Sequence, residues 1–285
     1  MFPPAALDEI EKRFWRDVFR VAVDSEDAFE ELGVELKTFG VVQASIVTEQ
    51  PDEPMLHLVL GAGIPGAVES GDLAAAIEWV QSHEVDYRVP VTPGRTAASD
   101  AARWLMEANH ELGGSWTKLA RDASPPAFED PDVDVFRRGR NEDETFGVPF
   151  AEMLGIPDWA STLFLDLPAT EGWHCYVAAE GDDPLAHVAM LIHGGVAELA
   201  LGANPGSERH AEGQLAVLRR CIDDAAAAGC EAIFTEALAF DSEPLANSRE
   251  CLQRAGFEQV FARRDWRPPR EAVAETRDRD LWFET

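Results

Sequence analysis

Between Glu198 and Leu218 the chain reads as a short apolar strand, a Gly/Pro turn around Gly202–Gly206, and the start of an amphipathic helix. Arg209, His210, Ala211, Glu212, Gly213 and Gln214 stand where that helix begins. The first N–H groups of a helix lack intrahelical partners and the helix dipole is positive there, so the turn is a place to hold an anion. On the strand, alternation puts Glu198 on one face with Ala200 and Gly202, small neighbours that leave room for a ligand. Partial burial would raise the pKa of such a carboxylate and let it accept a proton near neutral pH. In solvent it would be one more glutamate of an acidic surface. Both readings stay open on the residues alone.

The elements that must position these residues belong to a chain of 285 residues with 46% apolar content, long enough for two ordinary domains or one large one. No apolar run approaches the roughly 18 residues of a membrane span. The start, MFPPAALDEIEKRFW, lacks the basic and apolar regions of a signal peptide. A soluble, cytoplasmic setting with no membrane partner is expected. There are 53 acidic and 24 basic residues, for a net charge of −29. A general surface of that sign repels phosphates, so no nucleic-acid partner is expected. The acidity reads either as surface solvation or as attraction for a cationic substrate, which salt would screen. Lys12, Lys37 and Lys118 are the only lysines. Cys175, Cys221, Cys230 and Cys251 lack metal-ligand spacing and read as small core hydrophobes. His174, His187 and His193 also lack it, and no metal is expected.

Ala123–Asp134, rich in Pro and Asp, reads as a linker (124–134) between an N-terminal domain over 1–123 and a C-terminal domain over 135–285. The two sides share their order of elements and several words. Leu-Gly-Ala recurs at 60–62 and 201–203, and Pro-Gly at 65–66 and 205–206. Asp72-Leu-Ala and Gln214-Leu-Ala open matching helices, so a tandem duplication accounts for both halves. Helical spacing over Ala6–Ala22, about Asn141–Gly155 and Ser99–Leu112, with alternating strands at Phe39–Thr48, Trp173–Glu180 and Leu185–Ile192, gives an α+β reading for each half.

From Trp173 to Trp266 the order of elements resembles the GNAT acetyltransferase superfamily from its second strand to its end. Val196–Ala203 matches the fourth strand, Gly213–Gly229 the cofactor helix, Cys230–Ala237 the fifth strand, and Ser242–Ala255 the fourth helix with its Gly-Phe stop at Gly256-Phe257. The resemblance implies two tandem GNAT-like domains, each a mixed, mainly antiparallel sheet flanked by helices, the N-terminal copy degenerate. It also implies acetyl-CoA as co-substrate. The family's phosphate pattern, Gln/Arg-x-x-Gly-x-Gly/Ala, is here Arg209-His-Ala-Glu212-Gly-Gln214, with both small-residue positions replaced. Arg209, with His210 beside it and the N–H groups around Ala211–Gln214, would anchor the pyrophosphate. The charge of Glu212 opposes it. Backbone groups near Leu201 and Gly202 would face the thioester carbonyl, and Asn247 and Ser248 would line the cofactor.

Asn247–Arg270 holds six arginines against three acids, a local exception in an acidic chain. The equivalent first-half turn has Glu69 and Asp72, with no Lys or Arg between Met55 and Arg88. One cofactor site is therefore expected, in the second half. By the resemblance Glu198 stands where the family's glutamate base stands. Glu236, on the strand that splays from it in the family, is a second base or the counter-ion of a cationic substrate. The family often has a Tyr acid four residues before the Gly-Phe glycine; here that residue is Leu252. The function implied is direct acetyl transfer from acetyl-CoA to a primary amine of a small molecule or peptide. The alternative is an impaired GNAT-fold module for CoA binding or protein interaction. A homodimer is left open.

Overall fold

Leu7, Ile10, Phe14 and Val18 recur at helical spacing and are buried, which makes Pro4–Asp24 an amphipathic helix, α1. Glu11 lies inside that apolar stripe and is buried with it. The computed structural model describes residues 4–24, 32–139, 164, 167–181, 183–201, 208–238 and 243–269. The helix expected near 141–155 and most of the Gly/Pro turn, 202–207, lie outside the described residues. After α1 come β1 (Val34–Phe39), β2 (Val42–Val47), β3 (Leu58–Leu60), α2 (Asp72–Gln81), β4 (Val89–Val91), α3 (Thr96–Glu107) and β5 (Glu111–Arg121). The second half gives β6 (Asp134–Arg138), β7 (Trp173–Glu180), β8 (Asp183–His193), β9 (Val196–Leu201), α4 (Glu208–Ala227), β10 (Ala232–Leu238), α5 (Glu243–Arg254) and β11 (Glu258–Arg267).

The chain forms two units, Met1–Val21 with Trp116–Ala262, and Ala22–Ser115 with Arg263–Thr285. This grouping differs from a linear division at 124–134, although residues 122–133 do hold no helix or strand. The cause is an exchange of strands. In the first unit β10 pairs antiparallel with β5, from Ile233↔Arg121 to Leu238↔Trp116. In the second unit β4 pairs antiparallel with β11, from Arg264↔Val91 to Trp266↔Val89. Each half thus lends a late strand to the other's fold.

Strands in the first unit run in the order β5-β10-β9-β8-β7-β6, with β9 and β10 parallel and the other neighbours antiparallel. Gly194 and Gly195, at φ 60° and 79°, make the two-residue turn between β8 and β9 that needs positive φ at both positions. That turn sets the register in which Glu198 stands opposite Leu191. Helices cover both faces, so the central strands are buried nearly throughout. On one face Val188, Met190, Leu199 and Ile233 pack with Leu215, Ile222 and Leu252 of α4 and α5. On the other, Phe14 of α1 meets Trp173 with ring centroids 4.8 Å apart, and Trp173 Nε1 donates to Asp17 at 3.1 Å. Burying each such ring contributes roughly 1.5–3 kcal/mol.

Helix α4 approaches β8 closely. A Cβ on Gly213 would lie 2.5 Å from Leu185 Cβ, so glycine alone fits this crossing. At the end of α5, Gly256 at φ 86° closes a left-handed cap in which Phe257 N–H donates to Leu252 O at 2.9 Å.

In the second unit β1, β2 and β3 pair antiparallel in that order, and Leu58 bridges Arg88 in parallel. Their core joins α2 and α3 through Val42, Ile46, Leu73, Ile77, Ala101 and Leu105. Helix α3 stops at Glu107, short of the residue 112 expected from periodicity. Asn109 adopts φ 61°, and His110 N–H returns to Leu105 O at 2.9 Å, so the chain leaves as β5. No described helix is long and apolar enough to cross a membrane.

Candidate functional site

The parallel ladder of β9 and β10 runs from Val196↔Ala232 to Leu199↔Thr235. Beyond it the two strands no longer pair with each other and keep only their outer partners. Ala200 and Leu201 pair with Ala189 and Val188 of β8, whereas Glu236, Ala237 and Leu238 pair with Lys118, Thr117 and Trp116 of β5. The sheet therefore opens into a fork, and Thr235 Oγ1 closes its base by donating to Leu199 O at 3.1 Å. Glu198 lies on one prong just below the opening, and Glu236 lies on the other just above it.

Both glutamates share the face covered by α1, because paired residues share a face and positions two apart return to it. They meet there on one cation. Lys118 Nζ is 2.8 Å from Glu236 Oε1, 3.2 Å from Glu198 Oε1 and 3.5 Å from Glu11 Oε1. Lys118 is fully buried, and Glu198 is 6% exposed. Glu198 Oε2 is buried and has no hydrogen-bond partner among the described residues. Burial pushes the Glu198 carboxyl up to about 7; Lys118 opposes the rise, and Glu11 and Glu236 add to it. A carboxylate so tuned can take up or release a proton near neutral pH.

The other face of the fork carries the helix N-terminus. Gln214, 1% exposed, donates from Nε2 to Ser248 Oγ at 2.8 Å and so ties α4 to α5. Its Oε1 is buried with no hydrogen-bond partner among the described residues. Ala211 O accepts from Cys251 Sγ at 3.7 Å. Arg209, the expected pyrophosphate anchor, is ion-paired within the chain. Its Nε donates to Glu180 at 2.8 Å, Nη1 to Glu212, and Nη2 to Asp132 O at 3.4 Å. Those hydrogen bonds raise the affinity of Arg209 for its proton. Glu212 neutralises the arginine instead of standing apart from it.

The sequence-predicted residues thus fall into three places. Glu198 and Glu236 meet at the fork on the α1 face. Gln214 and Ser248 meet on the α4–α5 face, and Arg209 pairs with Glu212 in the first turn of α4. His210 is half-buried in that turn, Leu201 ends β9, and Asn247 lies on α5. Gly202 lies outside the described residues. Lys118 and Glu11 were not anticipated. The signals were a lysine inside the apolar run Trp116–Ala120 and a glutamate inside the apolar stripe of α1. Leu252 is buried in the core with Leu215 and Ile222 of α4. Among the described residues no group of His, Cys, Asp or Glu could hold a metal ion.

No family model matches the sequence, and no curated protein matches it. Solved structures do. A GCN5-related N-acetyltransferase from Kribbella flavida aligns over 90% of this chain and 95% of its own, at 16% identity and a TM-score of 0.54. Another from Sphaerobacter thermophilus aligns over 80% and 76%, at 15% identity and 0.52. A tandem GNAT protein from the clavulanic acid biosynthesis pathway aligns over 79% and 77%, at 14% identity and 0.52. At these identities the likeness is one of fold. The chain has the α+β fold of the GCN5-related N-acetyltransferases, a tandem GNAT protein among the structures it resembles.

Proposed function

We propose that this chain is an acetyltransferase that moves an acetyl group from acetyl-CoA directly to a primary amine of a small molecule or peptide. The observation that carries the reading is the fork between β9 and β10, with a buried Glu198 just below its opening. The residues present suit the cofactor. The N-terminal N–H groups of α4 offer donors to phosphates. Gln214 Oε1, buried without a hydrogen-bond partner among the described residues, can accept from an amide N–H brought to the contact of α4 with α5. Leu201 and Gly202 would offer backbone groups to the thioester carbonyl, and Asn247 and Ser248 would line the pantetheine arm. Bound acetyl-CoA supplies an activated acyl group.

Glu198 acts as the base. Its Oε2 takes a proton from the acceptor's ammonium, directly or through one water, while Oε1 stays on Lys118. Glu236, the more exposed of the pair, attracts the ammonium to the fork. A surface at −29 favours such cationic acceptors and disfavours nucleic acid.

A second reading rests on Leu252. It is a buried apolar residue where the resemblance implies a tyrosine acid for the departing thiolate, which fits a CoA-binding module without turnover. Thermal-shift titration with acetyl-CoA, followed by thiol release over an amine panel, separates the two. The enzyme binds and turns over; the module binds only. No shift at millimolar acetyl-CoA contradicts both.

A further inference from the structure

We propose that Arg137, His174 and Arg220 form a binding site for a tetrahedral oxyanion, free phosphate or the phosphate of a small phosphomonoester, on the α4 side of β7. Nothing in this depends on the acetyl-transfer reading.

Register brings the residues together. Arg137 of β6 stands opposite Tyr176 in the antiparallel ladder, and His174 lies two positions back along β7. The three therefore share the face that α4 covers. Tyr176 is fully buried there and donates its hydroxyl proton to Asp224 Oδ2 of α4. Its oxygen is left to accept from His174 Nδ1, at 3.1 Å. A neutral His174 thus carries its hydrogen on Nδ1 and keeps a lone pair on Nε2. Asp224 Oδ2 lies 3.8 Å from the same Nδ1, so a carboxylate backs the ring and fixes its orientation. Arg220, one turn before Asp224, donates from Nε to Asp224 Oδ1 at 3.1 Å and holds its guanidinium 5.3 Å from the centre of the Tyr176 ring. Arg137 Nη2 reaches the carbonyl of Trp173, the residue before His174, at 3.5 Å. Both arginines are exposed, and His174 is partly so.

This set suits an oxyanion. Guanidinium groups donate in a planar fork that matches the spacing of phosphate oxygens. The charged groups acting on His174 are Arg137 from β6 and Asp224 and Arg220 from α4, while β8 presents Met190. Burial first, and then Arg137, hold the imidazole below its ordinary range, so the ring is neutral near pH 7. A bound phosphate offsets the two arginines and reverses that balance. The O–H bond of its monoanion breaks, an N–H bond forms at His174 Nε2, and the electron pair stays on oxygen. The site stands apart from the fork. Strand β8 lies between β7 and β9, and the buried side chains of Met190 and Leu199 separate His174 from Thr235.

The test follows the histidine ring signals of the full chain by NMR against pH, in chloride and in inorganic phosphate at equal ionic strength. His174→Gln identifies the signal of His174. Its midpoint should lie roughly half to one pH unit higher in phosphate than in chloride. Arg137→Gln and Arg220→Gln should each raise the midpoint in chloride and remove most of the phosphate shift. No phosphate-dependent shift overturns the proposal, as does an equal shift in acetate or one that survives Arg137→Gln in full. Arg137 is exposed on β6, so its variant carries the test if Arg220→Gln does not fold. Glycerol phosphate distinguishes the two sources. A shift like that of inorganic phosphate assigns the site to a phosphomonoester, and a shift with inorganic phosphate alone assigns it to the free anion.

Discussion

Lys118 and Glu236 face each other across the antiparallel ladder of β5 and β10, with Nζ 2.8 Å from Oε1. One comes from the first half of the chain and the other from the second. The pair exists because β5 completes the sheet that carries the fork, and Glu198 joins it from the neighbouring strand. A single buried lysine thereby connects the rim glutamates with Glu11 of the first helix.

Replacing Glu198 by glutamine keeps the side chain's shape and removes the proton acceptor. Thiol release with an accepted amine should fall about 10²- to 10³-fold in kcat. The acetyl-CoA thermal shift should persist, because the substitution lies on the α1 face and the helix N-terminus on the other. Unchanged turnover would remove Glu198 from its role.

The same residue links stability to pH. Its folded pKa, about 7, lies above the ordinary carboxylate value of 4.5, so the folded chain binds more protons than the unfolded chain between those values. Stability should therefore fall as pH rises from about 5 to 8, by on the order of 1–3 kcal/mol from this group. Urea unfolding at both ends of that range should show the loss in the wild type and a smaller one in Glu198→Gln. An equal loss in both would place the pH dependence elsewhere.

At the phosphate end, Glu212→Gln should release one of the two carboxylates on Arg209. Acetyl-CoA binding should tighten about two- to fivefold at low ionic strength, and the gain should shrink as salt is added. Calorimetry at two salt concentrations reads both effects. Weaker binding in the variant would mean that Glu212 supports the site.

Gly213→Ala tests the helix crossing. The added methyl meets Leu185 Cβ at 2.5 Å, against the backbone of a central strand. A loss of about 1–3 kcal/mol is expected. In a unit of this size that is a drop in Tm of about 2–10 °C. A neutral variant would show that α4 packs less tightly on β8.

The strands of the second half follow their alternation closely. β7, β8 and β9 fall where apolar periodicity places them, since short turns such as Gly194-Gly195 fix their register locally. Glu198 and Glu236 could therefore be read from the sequence as strand residues, and the resemblance implied that their strands are neighbours. Lys118 and Glu11 could not be joined to them, because pairing across the chain's two halves has no local periodicity. The difference in unit boundaries has the same origin, as β5 and β11 complete sheets remote from their own segments. Arg209 was legible as a helix-terminal arginine and Glu212 as its neighbour one turn on. Glu180, the partner at the end of β7, was set by the packing of α4 on the sheet.

The most direct test of the central claim is calorimetric titration of the full chain with acetyl-CoA. Saturable binding at one site per chain is expected, weakened by Gln214→Ala where α4 meets α5. No heat at millimolar acetyl-CoA, or a site indifferent to Gln214→Ala, would contradict it.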